Sequence, residues 1–306
     1  MTAAPIRSDV VFHRDGISIS AWHYRPGSDA LRTEQGAPAV ILGHGYGLTR
    51  DCGLQSYAER FSAAGLHAVV IDYSGFGASG GQHREVVRAS AQVADFVAAI
   101  EGVRRIEGVD PDRVALWGTS YSGGLVIAAA AQDGNIAAII AQVPNLDNRA
   151  TMAYLIRHTP PRRMGWLLSC IVRDVGRAVL RRDPFYIPAN GHQGERAAYA
   201  SDEAMAQLSR IVGPSWRNRV ALRDFATVPM FRPVKKLSQL QCRVQLFACE
   251  RDDLTPVEPT LRAARVLGGR AELHRYDTGH FGIYVDPVFS QALAAQEKFL
   301  VAELNR

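Results

Sequence analysis

The stretch Val114-Ala115-Leu116-Trp117-Gly118-Thr119-Ser120-Tyr121-Ser122-Gly123-Gly124 decides how the rest of the chain reads. Four apolar residues run into a Gly-bounded turn. A segment of small and aliphatic residues, Ser120 to Ala131, follows with the composition of a buried helix. A short buried strand that turns sharply into a helix lifts one side chain, here Ser120, above the edge of a sheet. Such a turn is strained, so its neighbours must be small. Gly118 stands two residues before the serine and Ser122 two after, where glycine is usual, and Gly123 and Gly124 still permit close helix–strand packing.

Working outward, the flanking sequence alternates between the same two kinds of element. Ala39 to Leu42, Leu66 to Ile71 and Ala137 to Gln142 are short, apolar and bounded by Gly, Pro or Asp, as expected of parallel strands covered on both faces. Val93, Phe96, Val97 and Ile100 share one face of a helix. After Lys236 the alternation resumes with strand Val244 to Cys249, helix Pro256 to Leu267, strand Ala271 to Tyr276 and a last helix from about Pro287 to Leu304. The expected fold class is therefore α/β, a mostly parallel sheet with helices on both faces. At the front, Val10 to His13 and Ile17 to His23 flank Asp15-Gly16, the signature of a hairpin.

The alternation is interrupted from about Asn145 to Val234. This stretch has no clear strand, carries apolar clusters at helical spacing (Met164, Trp166, Leu167, Leu168, Ile171, Val172) and is punctuated by Pro160-Pro161, Pro184, Pro188 and Pro214. It reads as an inserted helical cap. The expected organisation is a core over 1–144, a cap over 145–234 and the rest of the core over 235–306. Charge separates them too. Between Asn145 and Lys236 there are 16 Lys and Arg against 7 Asp and Glu, although the whole 306-residue chain carries a net charge of only +5.

Composition bounds the remaining possibilities. With 47% hydrophobic and 21% charged residues the chain reads as a globular protein, near the size limit of one hydrophobic core. Met1 to Val10 lacks an apolar leader segment, and no uncharged apolar run reaches the roughly 18 residues of a membrane span. The four cysteines, Cys52, Cys170, Cys242 and Cys249, form no C-x-x-C pair and read as free buried thiols in a reducing compartment. A cytoplasmic location is expected, with neither nucleic acid nor membrane as partner, and the oligomeric state is left open. Gly75-Phe76-Gly77-Ala78-Ser79-Gly80 matches a dinucleotide fingerprint, but Asp95, the acid some 20 residues on, lies in a helical pattern and not at a strand end, so no nucleotide site is expected. No metal motif occurs.

A serine hydroxyl needs a base, and the base needs an orienting acid. Two loops supply candidates, both just beyond the carboxyl ends of strands, where ligands bind in open α/β sheets. One is Glu250-Arg251-Asp252-Asp253-Leu254-Thr255-Pro256; the other is Asp277-Thr278-Gly279-His280-Phe281. Of nine histidines, only His280 and His44 fall in Gly-flanked loops after strands. His280 is the expected base. Asp252 is preferred as the acid with Asp253 as its competitor, and Glu250 reads as a loop residue. Attack on a carbonyl builds negative charge on oxygen, which two preset backbone N–H groups stabilise. The expected donors are Tyr121, after the serine, and Tyr46 in Gly43-His44-Gly45-Tyr46-Gly47. His44 is expected to shape that loop.

These residues resemble the α/β-hydrolase family over nearly the whole chain apart from the cap. The features that carry the resemblance are His44-Gly45-Tyr46-Gly47, Asp72-Tyr73-Ser74-Gly75-Phe76-Gly77-Ala78-Ser79, the turn at Ser120, Asp252 four residues before Pro256, and Gly279-His280-Phe281. The last pair and the serine turn are similar to the Xaa-Pro-dipeptidyl-peptidase-like, dienelactone-hydrolase-like and polyketide-transferase-like branch. The resemblance implies a Ser120–Asp252–His280 triad, no metal and no organic cofactor. It also implies a small acyl substrate, an ester, thioester, lactone or amide. Expected functions are hydrolysis through an acyl-enzyme, acyl transfer through the same intermediate, or ligand binding without catalysis. The apolar content of the cap adds an expectation that the substrate's acyl group is hydrophobic.

Overall fold

The computed structural model describes residues 6–305; part of the segment read for a leader, residues 1–5, lies outside them. Eight strands form one sheet. They are β1 (Arg7–Arg14), β2 (Ile17–Tyr24), β3 (Ala37–Gly43), β4 (His67–Ile71), β5 (Val109–Thr119), β6 (Ala138–Gln142), β7 (Arg243–Cys249) and β8 (Ala271–Tyr276). Their order across the sheet is β1-β2-β4-β3-β5-β6-β7-β8. From β4 to β8 every neighbouring pair is parallel, whereas β1 and β2 add an antiparallel edge. The Asp15-Gly16 turn has φ +48° and +77°, the left-handed pair that a two-residue hairpin requires.

Side-chain alternation along the parallel strands divides the core. Ile41, Val69, Leu116 and Ile139 point to a layer that contains helix α2 (Ala89–Val103), helix α3 (Tyr121–Asp133) and helix α7 (Glu258–Leu267). Their chain neighbours Val40, Val70, Trp117 and Ile140 point to helices α1 (Gln55–Ala63) and α8 (Val288–Leu304). Burial on both faces explains why these strands read as continuous apolar runs. Element ends differ from the sequence reading by a few residues. Strand β5 starts earlier, at Val109, and α1, which was not read from the sequence, fills the Gln55–Ala63 stretch.

Between β6 and β7 the chain leaves the sheet and forms α4 (Asn148–His158), α5 (Pro161–Val179) and α6 (Asp202–Leu208). The expectation of a strand-free segment needs correction. Tyr186–Ile187 pairs with Val220–Ala221, and Asn190–Gly191 pairs with Tyr199–Ala200. These two-residue ladders are too short to leave a periodic signal. The buried Asp174 carboxylate organises this segment by accepting hydrogen bonds from the backbone N–H groups of Phe185, Leu222 and Arg223. Trp216 ties it to the sheet domain, its indole N–H donating to the Gly47 carbonyl at 3.0 Å.

Candidate active site

The site forms where β5, β7, β8 and β3 end on one side of the sheet. Ser120 is the residue between β5 and α3, with φ +55° and ψ −119°, a conformation that L-residues rarely adopt. Close packing forces it. A Cβ on Gly118 would lie 2.2 Å from the Ser122 carbonyl oxygen, and one on Gly123 would lie 2.4 Å from Pro144 Cβ. The turn is clamped from outside as well, since the Ser120 N–H donates to the Gln142 carbonyl and its own carbonyl accepts from the Gly123 and Asn145 N–H groups.

Three of the expected residues meet. The Ser120 Oγ lies 3.0 Å from His280 Nε2, and His280 Nδ1 lies 2.6 Å from Asp252 Oδ2. With Nδ1–H donating to the carboxylate, Nε2 keeps the lone pair that accepts the serine proton. His280 and Asp252 side chains are almost fully buried. Asp252 is held from its own loop: Oδ1 accepts from the Leu254 and Thr255 N–H groups at 2.9 and 2.7 Å, and Oδ2 accepts from the Thr255 hydroxyl at 2.8 Å. Asp253 turns away and accepts from Ser201 Oγ. Glu250 also faces away and pairs with Arg275.

The loop after β3 packs directly on the serine, so that a Cβ added at Gly45 would sit 3.4 Å from Ser120 Cβ. Tyr121 occupies the first turn of α3, whose backbone N–H groups have no acceptor within the helix. His44 is buried, its Nδ1–H donating to the Gly45 carbonyl at 3.0 Å, and burial holds its imidazole below the usual range. Ser122 joins the two loops. Its hydroxyl donates to the His44 carbonyl and also meets the Tyr73 hydroxyl. Glycine could make neither bond, so the departure from the usual motif is itself a structural tie.

The glycine run after β4 is occupied by its own chain. The Asp72 carboxylate accepts from the Arg50 and Ala78 N–H groups, and a Cβ on Gly77 would collide with that carboxylate at 2.0 Å. The thiol of Cys249, near the acid, is pushed up by burial. Cys242 is half-buried, unlike the other three cysteines.

Two cavities lie on this side of the sheet, the smaller of them lined by Ser120. A small one of about 30 Å³ is bounded by Ser120, His280, Gly45, Leu254 and Tyr284. A larger one of about 120 Å³ is bounded chiefly by apolar side chains of α4 and α5, among them Met152, Leu155, Met164, Leu167 and Ile171. Tyr46, Tyr121, Asn145 and Tyr199 line both and so stand at the boundary between them. Burial pushes the phenols at this boundary up, Tyr199 to about 12, so they remain neutral donors at physiological pH. Sequence reading missed Thr255, Ser201, Asn145 and Tyr199. Only Thr255 had a local signal, since Asp-x-x-Thr allows the Asx-type turn seen here.

Comparison with known proteins places the chain in a family. The family described as X-Pro dipeptidyl-peptidase (S15 family) matches residues 15–218. The quorum-quenching protein AidA of Acinetobacter baumannii (strain MDR-ZJ06) is 34% identical over 294 residues, covering 95% of this chain and 93% of that protein. The thiohydrolase aneE of Aspergillus aculeatus is 25% identical over 87% of this chain and 86% of its own. The crystal structure of the α/β hydrolase GrgF from Penicillium sp. sh18 superposes with a TM-score of 0.79 at 24% identity, over 98% of this chain and 100% of that one, which shows the shared fold. The chain is thus an enzyme of the α/β-hydrolase type. By the match over residues 15–218 and a relative 34% identical along nearly its whole length, it belongs to the X-Pro dipeptidyl-peptidase (S15) family.

Proposed function

We propose that this protein is a serine hydrolase that cleaves a carboxylic ester, thioester or lactone with a hydrophobic acyl part through an acyl-enzyme. The observation that carries the reading is the unbroken hydrogen-bond chain from Asp252 through His280 to Ser120 Oγ on a strained turn. Ser120 Oγ attacks the carbonyl carbon while His280 Nε2 takes its proton. Asp252 holds the imidazole tautomer and stabilises its cationic form. The tetrahedral oxyanion is held by the Tyr46 and Tyr121 amides. His280 then protonates the leaving group, and the acyl-enzyme remains. In the second half-reaction His280 deprotonates water, which attacks the acyl carbonyl, and the proton returns to Ser120.

The segment between β6 and β7 serves as a cap, with α4 and α5 supplying the apolar wall for the acyl group. The family's name points to dipeptides. Support for an acyl substrate comes from the lining of both cavities, which includes no Asp or Glu among the described residues. A peptide's α-ammonium group would find no carboxylate there. The relative named as a thiohydrolase supports hydrolysis, and the one named as a polyketide transferase favours capture of the same acyl-enzyme by an acceptor other than water. A panel of p-nitrophenyl esters, lactones and acyl-thioesters, with and without alcohol or amine acceptors, tests both. Turnover with free-acid product is expected. No turnover on any carbonyl substrate by folded protein would refute the reading.

A further inference from the structure

Helix α5 has an exposed apolar face that extends beyond the residues lining the acyl cavity. Leu168, Val172 and Val179 fall on one side at helical spacing and are 54%, 72% and 78% exposed. Gly176 lies between them and Gly165 just before Leu168, both on the same side, so nothing bulky shields the stripe. Ile156 at the end of α4 extends it and is 59% exposed. Ile156 and Leu168 also line the 120 Å³ cavity, so that cavity opens on this face.

The surrounding charge is predominantly positive, with Asp183 and Glu195 the nearby carboxylates. Arg157, Arg162, Arg173, Arg181 and Arg182 are exposed at its margins, and none pairs with a carboxylate among the described residues. At the start of α5, His158, Arg162, Arg163 and Arg196 border a polar cleft of about 290 Å³, in which Glu195 is the one carboxylate among three arginines. An apolar stripe edged by arginines is the pattern of a helix that lies in the interface of an anionic lipid layer. A second copy of the chain would bring the same arginines against these, so charge complementarity selects an anionic occupant.

We propose that the α4–α5 face docks on an anionic phospholipid surface, with the stripe among the acyl chains and the arginine cleft at the phosphate level. A hydrophobic substrate then passes from the lipid into the cavity between Ile156 and Leu168 without crossing water. This departs from the sequence expectation that no membrane is a partner. The proposal concerns surface binding only: among the described residues no helix is long and apolar enough to cross a membrane.

Flotation of the Ser120→Ala protein with vesicles tests docking apart from the hydrolase reading, since no turnover is involved. Co-flotation is expected with phosphatidylglycerol–phosphatidylcholine vesicles at low salt. It should weaken about fivefold for each arginine neutralised to Gln at Arg162 or Arg173. Val172→Glu with Val179→Glu should lower it on the order of a hundredfold. In the Ser120 background these two changes leave turnover of a water-soluble ester, and the circular dichroism spectrum, unchanged. Absence of flotation on anionic vesicles, or equal flotation of the double valine variant, would overturn the proposal. So would a dimer that the valine changes dissociate while vesicles bind neither protein.

Discussion

Asp252 and Asp253 are neighbours in the chain, yet their carboxylates serve different partners: Asp252 meets His280 Nδ1 at 2.6 Å, and Asp253 accepts from Ser201 in the segment between β6 and β7. Loss of the oriented tautomer costs about 10⁴ in rate where such an acid works. Asp252→Asn is therefore expected to lower kcat by about that factor with little change in KM. Asp253→Asn is expected to retain most of kcat and to loosen the contact with Ser201. Steady-state kinetics of both folded variants check this, and equal losses would remove Asp252 from its role.

Ser122 makes a prediction about rigidity. Its hydroxyl lies between the His44 carbonyl and the Tyr73 hydroxyl, all in the buried interior. Ser122→Ala leaves both partners unsatisfied, which costs about 1–3 kcal/mol. Urea unfolding should show that loss. Because His44 leads into the loop bearing the Tyr46 amide, kcat should fall as well. Unchanged stability would mean that the two loops are held by other contacts.

The cavity between α4 and α5 predicts chain-length selectivity. Each buried methylene contributes about 0.8 kcal/mol, so kcat/KM should rise about fourfold per added carbon until the space is filled. Leu155→Trp, which fills the cavity, should abolish that gain while acetyl ester turnover persists. A flat profile in the unsubstituted protein would contradict the assignment of this cavity to the acyl group.

Acid should destabilise the fold through a histidine pair far from Ser120. His23 Nε2–H donates to His67 Nδ1 at 2.9 Å, and His67 Nε2–H donates to the Gly108 carbonyl at 3.2 Å. Burial first, then the neighbouring His67, lowers His23 to about 4 from its ordinary 6.5. The unfolded chain then binds more protons than the native one between those values, so stability is full above pH 6.5 and is lost as pH falls towards 4. Thermal melts across that range should show a falling Tm, and His23→Gln should flatten the decline. An unchanged slope in that variant would assign acid sensitivity elsewhere.

The strands and the Ser120 turn were legible because they rest on local constraints. Runs such as Val114 to Trp117 are apolar on both faces, and the glycines at 118 and 123 stand where a Cβ would collide with neighbouring atoms. The choice between Asp252 and Asp253 was only partly legible, because it depends on which carboxylate the Leu254 and Thr255 amides capture. Tyr199 and Asn145 were illegible. Tyr199 reaches the site through the pairing of Asn190–Gly191 with Tyr199–Ala200, which is two residues long and carries no period, and Asn145 is held there by its backbone N–H on the Ser120 carbonyl. The function of Ser122 was hidden for a similar reason: its partners, His44 and Tyr73, come from two other strand ends.

Covalent labelling tests the central claim most directly. A fluorophosphonate probe reacts with a serine whose oxygen is activated by an adjacent histidine. Intact mass spectrometry of the labelled protein, followed by peptide mapping, should show one adduct, on Ser120. The adduct should be absent from Ser120→Ala and formed far more slowly in His280→Ala. An adduct on any other residue, or ester turnover by Ser120→Ala at the rate of the unsubstituted protein, would contradict the assignment of Ser120 as the nucleophile.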